Sequence, residues 1–239
     1  MTMRKWFETY VWTVRRDIVV LLIVDCTFLL VMELFLKKIP APFPIFVKIG
    51  NLAVTLAVSF LASFIFYFVQ VHMPEMRGKK NLNPVISELL RRIIYIQKGL
   101  LTEFVGVKPY ENLTNENIIN GTNNRDVNLQ NAPLHLVGLN RNANWIEYGA
   151  SRVEEIDKNW EMIMRYSDYM DSELLLLLSK IQSNPTLNFF KTMKPIYPAL
   201  RQGMHLNGFE GGMVELWHFI QKQDMYYNKH FSEKDTEIV

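Results

Sequence analysis

The sequence offers little material for cross-links or thiolate chemistry. Cys26 is the one cysteine among 239 residues, so a disulfide within the chain and a zinc site built on thiolates are both excluded. Cys26 also lies inside a long apolar run, where a thiol nucleophile is not expected. The chain is therefore neither a disulfide scaffold nor a thiolate metal protein.

The motifs of common enzyme classes are missing as well. The glycine-rich segment GMHLNGFEGG, residues 203–212, lacks the Lys-Ser/Thr pair that a phosphate-binding loop needs after its glycines. The chain has no HExxH, GxSxG or CxxC motif, and its five histidines are scattered. We therefore expect no enzyme activity, no cofactor and no metal.

One arginine and histidine pair needs separate consideration. Arg201 and His205 invite comparison with the Arg/His motif of HEPN ribonucleases, which are also helical. Only three residues separate the two here, fewer than that motif has, and Gly203 is one of them. A HEPN-like nuclease with its site at Arg201 and His205 is therefore kept as the less favoured alternative.

Net charge and strand signals are low too. The formal net charge is +2, so no global electrostatic attraction to nucleic acid is implied. Alternating apolar and polar positions, which predict strands, are nearly absent. The apolar residues instead concentrate in two long runs within the first 75 residues.

These two runs have the length of membrane-spanning helices. Ile18 to Leu36 would extend about 28 Å as a helix and Ile49 to Val71 about 35 Å, against a hydrocarbon core of roughly 30 Å. The segment between them, KKIPAPFPIFVK, contains three prolines and predicts a tight turn. We therefore predict an all-α membrane protein in which residues 18–71 form a transmembrane helical hairpin, with spans 18–36 and 49–71.

The residues around the two runs predict location and orientation. Residues 1–17 are charged throughout, and the apolar run after them is too long for a signal-peptide core, so the first span should be retained. Lys and Arg are more frequent outside the hairpin than in its loop, at Arg4, Lys5, Arg15, Arg16, Arg77, Lys79, Lys80 and Arg91. By the positive-inside rule both termini lie in the cytoplasm, below a bacterial inner membrane. Residues 1–17 form either an amphipathic interfacial segment or an extension of the first helix.

Two carboxylates interrupt the first run, Asp25 near its middle and Glu33 toward its end. Their spacing corresponds to about 80° of rotation on a helix, so both can face the same interior. Intramembrane carboxylates normally face a bundle interior or water, because exposure to lipid costs several kcal/mol. Glu33 lies within a turn of Lys37 and can reach the interface, but Asp25 cannot. A two-helix hairpin has too little interior to hide Asp25, so we expect the chain to self-associate.

The second run carries a row of polar side chains, called here the polar row. Its members recur every four positions without a break, at Asn51, Thr55, Ser59, Ser63 and Tyr67. Positions four apart share one helical face. The row is explained either by close helix packing, through the small pairs Ser59–Ser63 and Ala53–Ala57, or by a wet path inside an oligomer.

Residues 72–239 are predicted to form a cytoplasmic all-α domain of about four helices. The first should begin at Asn83–Pro84, because proline favours the first helical position. Helical periodicity and capping residues place the other three over residues 144–169, 172–184 and 213–230. Residues 106–143 are rich in asparagine, which favours turns, and are predicted to be mostly loop.

The end of the second run and the residues after it form a recognisable pattern. The segment SFLASFIFYFVQVHMPEMRGKKN, residues 59–81, is aromatic-rich and closes on Pro-Glu and basic residues. It resembles the close of the hairpin in bacterial two-transmembrane effector proteins of antiviral defence systems, including retron-associated ones. The resemblance covers residues 15–82. It implies a membrane effector that partner proteins or nucleic acid hold inactive, and that is then released to harm the inner membrane.

Together these features predict an oligomeric inner-membrane effector that permeabilises or depolarises the membrane when its cytoplasmic domain is triggered. Asp25, Glu33 and the polar row would face its interior. The expected partners are the lipid bilayer, other copies of the chain, and partner proteins or a ribonucleoprotein of a defence system. The alternative is a membrane-tethered binding or scaffold module whose hairpin serves only as an anchor.

Overall fold

Helices make up nearly all of the regular structure in the described part of the chain. The computed structural model describes residues 10, 13–35, 43–196 and 209–231. The α-helices within these ranges are α1 (Arg16–Leu34), α2 (Pro44–Tyr67), α3 (Met73–Val105), α4 (Asn115–Asn123), α5 (Trp145–Met164), α6 (Ser172–Ser183), α7 (Pro185–Ile196) and α8 (Glu210–His230). A short antiparallel pair joins β1 (His135–Leu136) to β2 (Arg141–Asn142), with His135 opposite Asn142. The predicted all-α fold class is confirmed.

The chain divides into two compact units, Met1–Asn81 and Leu82–Val239. The first unit contains α1 and α2, which contact each other. The second contains α4 to α8 and most of α3. The predicted limits of an interfacial segment at residue 17 and of a hairpin at residue 71 stay predictions.

The start of α2 differs from the prediction for the second run. The helix begins at Pro44, with Phe43 as its extended N-cap, rather than at Ile49. Proline lacks the N–H that the first helical position leaves unbonded, and its fixed φ suits that position. Residues 36–42, which include the first part of the predicted turn, lie outside the described residues. So do residues 1–9, 11 and 12 of the predicted interfacial segment.

One helix within the described ranges, Ile45–Val105, is long and apolar enough to cross a membrane. It comprises most of α2, a π-helical turn at Phe68–His72, and α3. Only 6% of its most apolar stretch is buried inside the chain, which argues against a core helix of a soluble fold. Leu56 and Phe66, for example, keep 64% and 66% of their surface exposed.

The predicted helix start at Asn83–Pro84 is wrong. α3 begins at Met73 and contains Pro84 in its interior. Proline inside a helix leaves one carbonyl of the preceding turn without its N–H partner. Pro84 and Lys80, whose carbonyl is affected, are both exposed, so water can bond that carbonyl. Ser87 adds a local bond by donating its Oγ to the Pro84 carbonyl at 3.0 Å.

Residues 106–143 are only in part a loop, because they contain α4 and the β1–β2 pair. α4 begins with a capping box in which Thr114 and Asn117 satisfy each other's backbone N–H groups. Ile118 of α4 is fully buried, so the helix belongs to the core. The asparagines that predicted turns therefore also supply a helix start.

The second unit contains more helices than the four predicted. Within its described residues α4 and α7 are added to the predicted set. α7 follows α6 without a loop, because Asn184 ends one helix and its Oδ1 accepts from the backbone N–H groups of Thr186 and Leu187 in the next. The predicted ends of the third helix at Asn184–Pro185 and of the last helix at His230 are confirmed. The second predicted helix ends at Met164 rather than at Tyr169, and the last begins at Glu210 rather than at Met213.

An aromatic cluster lies at the centre of the second unit. α5 packs on α7, and α4 packs on α8. Phe104 meets Trp145 and Phe190 edge to face, with ring centroids 5.6 and 5.8 Å apart. Gly149 leaves room for Phe190, since a Cβ there would lie 2.2 Å from the Phe190 Cδ1. This contact fixes the close approach of α5 and α7.

Candidate membrane site

The polar row lies on the outside of α2. The side chains of Asn51, Thr55, Ser59 and Ser63 are exposed in the single chain, and Tyr67 is half-buried. From Asn51 to Tyr67 the row extends about 24 Å along the helix. It therefore covers most of the roughly 30 Å of a hydrocarbon core.

The hydroxyl groups of the row donate their protons to the preceding turn. Thr55 Oγ1 donates to the Asn51 carbonyl at 2.9 Å, Ser59 Oγ to Thr55 at 2.8 Å, and Ser63 Oγ to Ser59 at 2.8 Å. Such bonds lower the cost of placing a hydroxyl in an apolar medium. The hydroxyl oxygens keep lone pairs directed outward, so the row presents hydrogen-bond acceptors.

A different side of α2 packs on α1. Ala57 is 7% exposed, and a Cβ added to Gly50 would lie 3.4 Å from the Met32 Cε of α1. Two residues correspond to about 200° of rotation, so Ser59 lies about 160° around the helix from Ala57. Of the two small pairs in the sequence, Ala53–Ala57 thus lies at the α1 contact, whereas Ser59–Ser63 faces away from it.

Asp25 lies on the face of α1 that packs on α2. The half-buried residues of α1 recur at helical spacing, at positions 18, 19, 22, 25, 26, 28, 29 and 32. The Asp25 Oδ2 has almost no contact with solvent and no hydrogen-bond partner among the described residues. A buried carboxyl oxygen without a donor is costly in any apolar environment.

Glu33 and Asp25 therefore have different surroundings. Glu33 is exposed near the end of α1, and the neighbouring Lys37 lies outside the described residues. Within the single chain, Asp25 and the polar row face different sides of the α1–α2 pair, so the predicted site residues are not brought together. A common interior for both sets requires more than one copy or a rearrangement of α1 against α2.

His72 is a buried polar residue that the sequence reasoning missed. It is 5% exposed and lies in the π-helical turn after α2. Its Nε2 lies 2.9 Å from the Tyr10 carbonyl and 3.1 Å from Thr13 Oγ1, and its ring stacks on Phe68 at 5.7 Å. π-Helical turns are often found at functional sites. These contacts connect the segment before α1 to the end of α2. The sequence feature that could have indicated this buried site is a histidine at the end of an otherwise apolar and aromatic helix.

The alternative nuclease site gains nothing from the structure. Arg201 and His205 lie outside the described residues. Among the residues that are described, no group of three or more His, Cys, Asp or Glu side chains is arranged to hold a metal ion. The low-ranked Arg201–His205 site therefore stays a prediction.

Comparisons with known proteins assign the chain to no family. No family model, curated protein or solved structure matches the chain. The resemblance to two-transmembrane effectors stays a prediction, and a function has to be argued from α1, α2 and their polar groups.

Proposed function

We propose that the chain is a bacterial inner-membrane protein that assembles through the polar row of α2 and permeabilises the membrane when its second unit is triggered, in antiviral defence. The observation that carries the proposal is the exposed polar row on an otherwise apolar helix. No enzyme activity or cofactor is part of the mechanism. The bilayer and further copies of the chain are the immediate partners, and proteins or a ribonucleoprotein of a defence system supply the trigger.

The proposal treats α1 and α2 as a transmembrane hairpin over residues 18–36 and 49–71, with both termini in the cytoplasm. Large apolar side chains of α1 and α2 point away from the chain, among them Ile23 at 60% and Leu52 at 62% exposed. Water would make such a surface strongly unfavourable, whereas hydrocarbon suits it. The contact between Met32 and Gly50 then lies near the hairpin's turn.

The polar row supplies the reason for assembly. The exposed part of the row, from Asn51 to Ser63, is about 18 Å long, and its outward-facing acceptors gain nothing from lipid tails, which have no donors. A second copy or water can supply donors and close packing. Several copies arranged with their rows inward would enclose a path of hydroxyl and amide oxygens across most of the bilayer. Such a path conducts water and ions.

Asp25 gives the assembly a group whose burial is unfavourable. Asp25 lies seven residues before Met32 on α1, and Ala57 lies seven residues after Gly50 on α2. Because Met32 and Gly50 are in contact, Asp25 and Ala57 lie at about the same depth in the hairpin, near the bilayer centre. Ala57 offers no hydrogen bond, and the Asp25 Oδ2 has no donor among the described residues while α1 rests on α2. Separation of the two helices on triggering would give the carboxyl access to the wet path. Glu33 would lie at the mouth of that path.

Substitutions at Ser59 distinguish a wet path from a dry packing seam. Ser59→Ala keeps a small side chain but removes the hydroxyl, and Ser59→Leu removes both properties. We expect both variants to lose most of the depolarisation, measured with a potential-sensitive dye in cells expressing equal membrane levels of protein. A dry seam would instead tolerate alanine and reject leucine.

Val58→Leu is the matched control. Val58 neighbours Ser59, is 52% exposed and lies about 100° around the helix from it. We expect this variant to depolarise like the unsubstituted protein. Unchanged depolarisation in both Ser59 variants would overturn the pore, and so would equal losses at positions 58 and 59.

A membrane-tethered binding module is the second candidate. The observation in its favour is that residues 82–239 form a compact unit with an extensive core of their own. In that case the hairpin only anchors the unit, and replacing residues 15–71 by an unrelated hairpin would preserve activity in infected cells. Under the pore proposal the same replacement abolishes activity.

A further inference from the structure

A pocket in the second unit has the chemistry of a ligand site. It is a cavity of about 340 Å³ between α3 and α5, lined by Arg91, Arg92, Tyr95, Ile96, Glu155 and Asn159. The lining combines guanidinium groups, one aromatic ring, an apolar floor and oxygen acceptors. All six lining residues belong to the second unit, and the inference drawn from them does not rest on the proposed function.

Asn159 provides a buried acceptor at this pocket. The residue is 6% exposed, and its Nδ2 donates to the Glu155 carbonyl at 2.8 Å. Its Oδ1 has no donor among the described residues and almost no contact with solvent. Buried acceptors are nearly always bonded in folded proteins. An N–H group of a ligand seated in the pocket would satisfy the Asn159 Oδ1, once a side-chain shift opens this oxygen to the pocket.

Glu155, one helical turn before Asn159 on α5, places a second acceptor in the same pocket. Its Oε2 accepts from Arg152 Nη1 at 2.9 Å, and its other carboxylate oxygen has no donor within the described ranges. Two neighbouring acceptors match a ligand edge with two neighbouring donors. Guanine has such an edge in N1–H and the 2-amino group, whereas adenine pairs one amino donor with a ring acceptor.

Tyr95 and Arg92 supply the remaining contacts. Tyr95 is 77% exposed, so its ring face is open for stacking by a base. Arg92 uses its Nε on Glu88 at 2.9 Å, and its terminal amino groups meet no acceptor among the residues described. A guanidinium whose two terminal amino groups are both available can donate hydrogen bonds to the oxygens of one phosphate.

We propose that the Arg92–Tyr95–Asn159 pocket binds a guanine base together with its phosphate. The base stacks on Tyr95 and donates to Glu155 and Asn159, and the phosphate accepts from Arg92. The same chemistry is presented by a free guanine nucleotide and by guanine in a single strand. A volume of about 340 Å³ accommodates one nucleotide.

The test is calorimetric titration of the full chain in detergent with GMP, AMP and guanosine. We expect GMP to bind at least about tenfold more tightly than either of the others, because AMP lacks one donor and guanosine lacks the phosphate. A five-nucleotide single strand with one central guanine forms a further arm. Tighter binding of the strand than of GMP assigns the site to nucleic acid, and the reverse assigns it to the free nucleotide.

Two variants tie any binding to this pocket. Asn159→Leu replaces the unsatisfied amide by an apolar group of similar size, so we expect at least about tenfold weaker GMP binding together with a Tm raised by about 2–4 °C. Tyr95→Ala should also weaken binding at least about tenfold. Tyr169→Ala removes another tyrosine of the same unit, 36% exposed and outside the pocket lining, and should leave the affinity for GMP unchanged.

The proposal is overturned by equal affinity for GMP and AMP, or by no binding of GMP and the strand up to about 1 mM. Undiminished binding in both Asn159→Leu and Tyr95→Ala would also overturn it. Because Asn159→Leu is expected to be more stable than the parent, a loss of binding there is not explained by unfolding.

Discussion

Replacing Asp25 with leucine is expected to abolish membrane depolarisation and, at the same time, to make the protein more stable to heat. The Asp25 Oδ2 is buried and unbonded against α2. A carboxyl group in mid-membrane costs about 2.5–3.5 kcal/mol on insertion scales, and leucine of similar size removes that cost. Depolarisation is measured in cells, and Tm is measured on the purified protein in detergent. Opposite changes in the two quantities would mark Asp25 as a functional group.

Two further substitutions control for the effect of Asp25→Leu. Asp25→Asn keeps the size and hydrogen-bonding capacity but cannot ionise, so it should also lose depolarisation. Thr27→Val changes a polar residue on the exposed side of α1, whose hydroxyl donates to the Ile23 carbonyl at 2.7 Å, and should leave depolarisation intact. Full depolarisation by Asp25→Leu at equal membrane levels would remove Asp25 from the mechanism.

Introducing a side chain at Gly149 is expected to unfold the second unit or to weaken it severely. A Cβ at this position would lie 2.2, 2.4 and 2.6 Å from three ring atoms of Phe190. Phe190 is fully buried and cannot turn away, because Phe104, Phe189 and Phe209 surround it. Overpacking of this kind costs about 3 kcal/mol. For Gly149→Ala we expect a Tm lower by about 6–12 °C, followed by circular dichroism in detergent.

Gly99→Ala is the matched control, with an effect of opposite sign. Gly99 lies inside α3, and a Cβ there would meet nothing within 4 Å. Alanine is favoured over glycine in a helix interior by about 0.5–1 kcal/mol. The Tm should therefore rise slightly. Equal effects of alanine at both positions would show that α5 and α7 do not approach as closely as this contact requires.

Periodicity in the sequence was a good guide to the helices, and local exceptions explain its errors. The apolar spacing of residues 144–169 and 213–230 predicted α5 and α8, although α5 ends earlier, at Met164, and α8 begins earlier, at Glu210. Pro84 suggested a helix start, because proline prefers the first turn, but an exposed proline is tolerated inside α3. The asparagine-rich composition of residues 106–143 predicted a loop, so α4 was not predicted. The start of α4 uses Asn117 as the capping partner of Thr114. Local composition does not distinguish these two uses of asparagine.

The orientation of the candidate site residues was less predictable. Four members of the polar row, Asn51, Thr55, Ser59 and Ser63, are exposed on α2, whereas Tyr67 is half-buried. Which side then meets α1 depends on contacts between distant residues, such as Gly50 with Met32. Those contacts turn Ser59 outward and Asp25 inward, so the two groups do not share an interior in one chain. The burial of His72 under Tyr10 likewise depends on the packing of residues far apart in sequence.

The most direct test of the central claim, that copies of the chain meet along the polar row, is cysteine cross-linking in intact membranes. Cys26→Ala removes the one native thiol, and Ser59→Cys or Val58→Cys then adds a single thiol at a chosen position. With a mild oxidant we expect disulfide-linked dimers from Ser59→Cys and none from Val58→Cys. Monomers at both positions, or equal cross-linking at both, would contradict assembly through this face of α2.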